Sequence, residues 1–169
     1  EEIENMDSFY RYLDVDGDGI PYRTIPGSHP KGSYFTRGSG HNKFGRYTED
    51  ASEYQDVVDR LLVKWETAKT LVPKPAVNFS KNNEVGIISI GSCDDAIREA
   101  RDILEQQDQN LNYLRVKAFP FTKEVQKFLD AHKMIFVIEQ NRDGQLSKLL
   151  ISETEVDRKK IKSIRLYNG

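Results

Sequence analysis

The stretch KMIFVIEQNRDGQL, residues 133–146, decides what kind of fold this chain can adopt. Met134 to Ile138 is a nearly continuous apolar run, the pattern of a strand buried on both faces of a sheet. Glu139, Gln140, Asn141, Arg142, Asp143 and Gln145 follow without pause, and Leu146, Leu149 and Leu150 then mark a helix. A buried strand, a polar turn and a helix make one βα unit, which calls for more of the same kind on either side.

Reading outward supplies them. EVGIISI (84–90) is a β-rich run ending in Gly91-Ser92, and Ala96, Ile97, Ala100, Ile103 and Leu104 then form one helical stripe. LNYLRVKA (111–118) predicts the next strand, TKEVQKFLDAH a short helix with Val125, Phe128 and Leu129 inward, and KIKSIRLY (160–167) a last strand. The β-α-β-α-β-α-β order is that of an α/β fold with a mainly parallel sheet covered by helices. Right-handed crossovers place every strand's C-terminal end on one edge. Upstream, Tyr54, Val57, Val58, Leu61, Leu62, Trp65 and Ala68 share one helical face, and Pro73 and Pro75 stop that helix.

The chain before Thr48 is different in kind. Residues 14–47 hold clustered glycines, three prolines and many aromatics, with no sustained period. Tyr22, Tyr34, Phe35, Phe44 and Tyr47 argue against disorder, so residues 1–47 read as an irregular arm packed on a neighbouring surface and 48–169 as the α/β domain. The opening EEIENMDSFY reads as a helix entered from something earlier, and the chain as a piece of a longer protein.

Within the arm, DVDGDGIPYRTIPG (14–27) begins like a calcium-binding EF-hand loop. Such a loop takes oxygen ligands at positions 1, 3 and 5, a glycine at 6 and a bidentate glutamate at 12. Asp14, Asp16, Asp18 and Gly19 satisfy the first four, but the twelfth place falls on Ile25, and Pro21 and Pro26 break the exiting helix. The run therefore predicts a tight turn whose carboxylates accept local backbone N–H groups, and no metal site.

The 169 residues are 37% hydrophobic and 31% charged with a net charge of -2, which gives no electrostatic ground for a nucleic-acid partner or an anionic membrane surface. No apolar run approaches the ~20 residues that span a bilayer. The single cysteine, Cys93, cannot form an internal disulfide or hold an iron–sulfur cluster alone, and it fits a reducing, cytoplasmic setting.

Three junctions should meet at the strand C-terminal edge, where ligands bind in open α/β sheets. In GSCDD (91–95), Ser92 and Asp95 form a capping-box pattern, and Asp94 and Asp95 argue against a phosphate. In FPFT (119–122), Pro120 pins the turn and Thr122 can cap the helix. In EQNRDGQL (139–146), Asn141 or Asp143 can cap the helix while Glu139 either ties the loop or serves a site.

YLDVDGDGIPYRTIPGSHPKGSYFTRGSGH (12–41), followed by IGS (90–92), AFPF (118–121) and VIEQNRDGQL (137–146), closely resembles the alpha subunit of 2-oxoacid:ferredoxin (acceptor) oxidoreductases, nearest the 2-oxoglutarate type. The resemblance implies a fragment matching the subunit's second domain, which is like the C-terminal domain of transketolase. That domain is a three-layer α/β/α structure whose roughly five-stranded mixed sheet adds one antiparallel strand to four parallel ones. It also implies a holoenzyme that oxidatively decarboxylates a 2-oxoacid to an acyl-CoA, with thiamine diphosphate, Mg²⁺, an iron–sulfur cluster, CoA as cosubstrate and ferredoxin as electron acceptor. The implied partners are an N-terminal domain of the same subunit and a thiamine-binding beta subunit. The expectation for this chain is support of domain and subunit assembly, with no catalytic residue and no cofactor of its own. The alternatives are a CoA- or anion-binding module at the strand edge and a purely structural interaction domain. Glu139, Asn141 and Gln145, with His41 and Arg37 from the arm, are the candidate interface or site-supporting residues.

Overall fold

The computed structural model describes residues 3–36, 38–79 and 83–168. They fall into two compact units, Glu1–Thr70 and Leu71–Gly169.

In the first unit the arm is held by turns and aromatic contacts. Short 3-10 turns cover Ile3–Asn5 and Pro30–Gly32, and His41 bridges Tyr47. Ring pairs Phe9–Tyr34 (5.8 Å), Tyr10–Phe44 (5.0 Å) and Tyr12–His41 (4.1 Å) pin distant parts of the arm together. The helix expected at the N-terminus is reduced to the turn at Ile3–Asn5. Helix α1 (Ala51–Leu71) starts where Asp50 Oδ1 accepts the Ser52 and Glu53 amides, and it ends before Pro73. The inward face expected for α1 is only begun, because Val57 is buried while Tyr54, Leu62 and Trp65 are exposed. By compactness α1 falls with the arm, whereas the sequence suggests a boundary between 47 and 48. The reason is local: Thr67 Oγ1 donates to Asp18 O (2.6 Å), and Arg60 donates to Gly19 O (2.8 Å).

The second unit is a three-layer α/β/α structure. Its elements are β1 (Ala76–Asn78), β2 (Val85–Ile90), α2 (Cys93–Glu105), β3 (Asn112–Val116), α3 (Lys123–Ala131), β4 (Met134–Glu139), α4 (Gln145–Glu153) and β5 (Ile161–Arg165). The strands lie in the order β1-β3-β2-β4-β5; β1 runs antiparallel to β3 and all other pairs are parallel. The short antiparallel edge strand, implied only by the family resemblance, is therefore present.

Helix α2 carries the chain from β2 out to β3, whereas α3 and α4 carry it the other way across the sheet. Connections of one hand that travel in opposite directions must cross opposite faces. The core divides accordingly. Val125, Phe128 and Leu129 of α3 and Leu146 and Leu150 of α4 pack with Ile88, Leu114, Ile135 and Val137 on one face. Cys93 and Ile97 pack with Ile87 and Tyr113 on the other. The single helix α2 covers less than the pair, so β4 is fully buried on one face and only half-buried through Phe136 and Ile138 on the other. This corrects the expectation that the strand is buried on both. No helix among the described residues is long and apolar enough to cross a membrane.

Candidate functional site

The outgoing connections of the adjacent strands β2 and β4 run in opposite directions, so the topological switch point lies between their C-terminal ends. Sequence and topology therefore bring Gly91-Ser92 and Glu139-Gln140 together. Ser92 Oγ donates to Gln140 Oε1 across the junction (2.9 Å). This overturns the capping-box reading, because Ser92 has helical backbone angles and makes no cap bond to α2. Thr122 likewise makes no side-chain cap bond to α3.

Glu139 is 2% exposed and its carboxylate is fully engaged. It accepts from the Leu146 amide (2.6 Å), the Ser147 amide (3.0 Å), Ser147 Oγ (2.8 Å) and Asn141 Nδ2 (2.8 Å). An anion is thus set into the first turn of α4, where the free N–H groups and the helix dipole both favour it. Burial pushes the carboxyl pKa up, and the donors from Asn141, Leu146 and Ser147 outweigh it, leaving the pKa below the usual glutamate range. Asn141 Oδ1 in turn accepts the Asp143 and Gln145 amides. Gly144 occupies the cap position with φ 63°, and a side chain there would press on Ser163 Oγ at 3.2 Å. The loop is also fastened to β5, through Leu166 N to Glu139 O (2.9 Å) and Arg165 to Arg142 O (2.8 Å).

Beside this loop lies a network the sequence reading missed. Asp94, 5% exposed, accepts from Tyr113 OH (2.9 Å), Arg115 (3.0 Å) and Arg98 (2.8 Å). Burial pushes the Asp94 pKa up, but Tyr113, Arg98 and Arg115 together hold it below the ordinary value. Tyr113 OH lies 2.6 Å from Ser89 Oγ, and burial with the Asp94 contact pushes the phenol up to about 12. The signal was present but two-dimensional: only the parallel register, which sets Ser89 beside Arg115 and Ile87 beside Tyr113, joins these residues. Because the folded state favours the neutral phenol, this contribution to stability is complete below about pH 10, the unfolded value, and is lost as pH rises further. The unmodified chain should show an ionisation step near pH 12 in a spectrophotometric alkaline titration, and Tyr113→Phe should lack it. An unchanged titration curve would contradict this placement.

In the arm, Asp14, Asp16 and Asp18 bring one carboxylate oxygen each within 4.8 Å of one another. As expected for a tight turn, they accept local donors: Asp14 takes the Gly17 and Gly19 amides, Asp16 the Asp18 amide and Tyr22 OH, and Asp18 the Ile20 amide.

No family model matches the chain. A 2-oxoacid:ferredoxin oxidoreductase 2, subunit alpha, from Aeropyrum pernix is 27% identical over 172 residues, covering 99% of this chain and 26% of that protein. This chain resembles the alpha subunit of 2-oxoacid:ferredoxin oxidoreductases. The fold agrees, since 2-oxoglutarate:ferredoxin oxidoreductase from Magnetococcus marinus, solved with 2-oxoglutarate, coenzyme A and succinyl-CoA bound, superposes with a TM-score of 0.83. That match is 22% identical and covers 98% of this chain and 29% of the solved one. The chain thus spans about a quarter of the length of its curated alpha-subunit relative.

Among the candidate residues, Glu139 and Asn141 share one network, while the Gln145 side chain is exposed at the start of α4. His41 belongs to the other unit, its ring against Tyr12 and its Nδ1 3.1 Å from Ser39 O. Arg37 lies outside the described residues.

Proposed function

We propose that the chain is a domain of the alpha subunit of a thiamine-diphosphate-dependent 2-oxoacid:ferredoxin oxidoreductase, of the 2-oxoglutarate type, and that it supports domain and subunit assembly without performing chemistry itself. The observation that carries this reading is the similarity to an alpha subunit along 99% of the chain. The geometry supports the division of labour. Glu139 and Asp94, the buried carboxylates at the switch point, are engaged in holding a helix start and two arginines. Neither is placed as a general base with a free lone pair facing solvent.

The iron–sulfur cluster of such an enzyme does not fit this chain's residues. Cys93 is the single cysteine and is buried, so it cannot ligate an iron–sulfur cluster alone. We place thiamine diphosphate, Mg²⁺ and the cluster on other domains and subunits, with ferredoxin docking there as well. The exposed Tyr54, Leu62 and Trp65 of α1 and Phe35 of the arm then face those neighbours. Glu139, Asn141, Gln145 and His41 hold loops at these boundaries.

Reconstitution tests the proposal. The chain alone should give no 2-oxoglutarate-dependent reduction of methyl viologen. Added to a partner preparation lacking this segment, it should restore CoA-dependent reduction. Turnover by the chain alone, or no restoration when a stable complex forms, would overturn it.

A further inference from the structure

The arm unit contains a concave basic surface. A cavity of about 250 Å³ opens between the arm and the middle of α1, with Arg11, Arg23, Arg60, Lys64, His41 and Tyr12 among its walls. Val57 and Leu61 form part of its floor. Four permanent cations therefore share one small hollow. None of the four makes an ion pair with a carboxylate among the described residues. Asp14 is the acid close enough to act on Arg60, and both of its oxygens already accept the Gly17 and Gly19 amides.

Two of the cations, Arg60 and Arg11, are also held in place. Arg60 donates to Gly19 O at 2.8 Å, and its Nε is buried without a hydrogen-bond partner among the described residues. Burial and the neighbouring Arg11 charge both push its pKa down, with Asp14 opposing. Arg11 lies over the rings of Tyr12 and Tyr34, at 5.9 and 6.0 Å. Like charges fixed around a partly dehydrated hollow repel one another more strongly than on an open surface. A polyanion in the hollow relieves that repulsion. Guanidinium forks match phosphate oxygens in pairs, and a lysine adds a point charge. The volume suits one or two phosphate groups, being below the ~300 Å³ at which pockets begin to take whole drug-sized ligands.

We infer that this hollow, walled by Arg11, Arg23, Arg60 and Lys64, is a binding site for a phosphate-class oxyanion, either a free diphosphate or the phosphate end of a larger ligand. The test is calorimetric titration of the 169-residue chain with inorganic pyrophosphate, against sodium chloride at matched ionic strength, with Trp65 fluorescence followed in parallel. The comparison variant is Arg23→Gln with Lys64→Gln, because neither side chain is tied into the turn or the helix as Arg60 is. Pyrophosphate should bind saturably, and the double variant should bind at least tenfold more weakly with an unfolding midpoint that is not lowered. No saturable binding, equal binding by the folded variant, or 2-oxoglutarate binding as tightly as pyrophosphate would each overturn the assignment. None of these outcomes depends on the enzyme's turnover, so they are separable from failure of the assembly role.

Discussion

Glu139→Ala is expected to destabilise the sheet unit by about 3 kcal/mol, lowering its unfolding midpoint by roughly 12–24 °C. The carboxylate satisfies two amides of the first turn of α4, a serine hydroxyl and the Asn141 amide, at a site 2% exposed. Alanine leaves those donors buried and unpaired, and leaves the helix dipole without its anion. Glu139→Gln keeps an acceptor but not the charge, and should cost roughly half as much. The pH dependence has a definite sign. The folded-state carboxyl is the stronger acid, so its contribution is complete above about pH 4.3, the unfolded value, and is lost as pH falls through the lower folded value. The stability difference between the unmodified chain and the Glu139→Gln variant should therefore shrink below about pH 4. Hydrogen exchange gives a second readout, since the Leu146 and Ser147 amides should lose protection in the alanine variant. Equal midpoints and equal protection would show that water replaces the carboxylate without cost.

How much of this loop can be read in the sequence depends on how far apart its partners lie. The polar run after β4 announces a turn, and one of the two expected uses of Glu139 is to tie it. Its actual partners, Leu146 and Ser147, are seven and eight residues on, beyond the span of a capping rule. Gly144, rather than Asn141 or Asp143, takes the cap position, because a buried carboxylate supplied from the strand already serves the amides. The same logic explains Ser92. A capping box is legible by spacing, but a better acceptor, Gln140, lies across the switch point and emerges only once β2 and β4 are adjacent.

The layered fold is more accessible, because it rests on short-range periodicity. The four parallel strands are each visible as short β-prone runs, and their alternation with helical stripes dictates the class. The edge strand Ala76–Asn78 is not, being three residues long next to two prolines. The stripe on α1 is amphipathic by spacing yet largely exposed. Periodicity reports that a face is apolar and does not say which polypeptide covers it. The basic hollow gives no linear signal, since Arg11, Arg23, Arg60 and Lys64 are up to 53 residues apart and their convergence is a product of the turn at Asp14–Gly19.

That turn leads to the second large effect. Gly17 and Gly19 both adopt left-handed backbone angles, with φ of 81° and 79°, so alanine at either should cost about 1–2 kcal/mol in conformational strain. Their surroundings differ completely. Nothing lies within 4 Å of a Cβ built at Gly17, whereas at Gly19 it would sit 2.3 Å from Lys64 N and 2.9 Å from Arg60 O. Both atoms are helix backbone, which cannot rotate aside as a side chain can. Gly19→Ala must push the arm off α1, breaking the bonds from Arg60 to Gly19 O and from Thr67 to Asp18 O. With overpacking added, the expected loss is about 3 kcal/mol or more, at least twice that of Gly17→Ala. Trp65, the single tryptophan, lies in α1 and reports on this unit. Its fluorescence should show an early unfolding transition in Gly19→Ala, while circular dichroism of the sheet unit changes little. Comparable shifts for the two alanine variants would mean that backbone strain alone governs the turn, and that the close approach of Gly19 to the helix carries no weight.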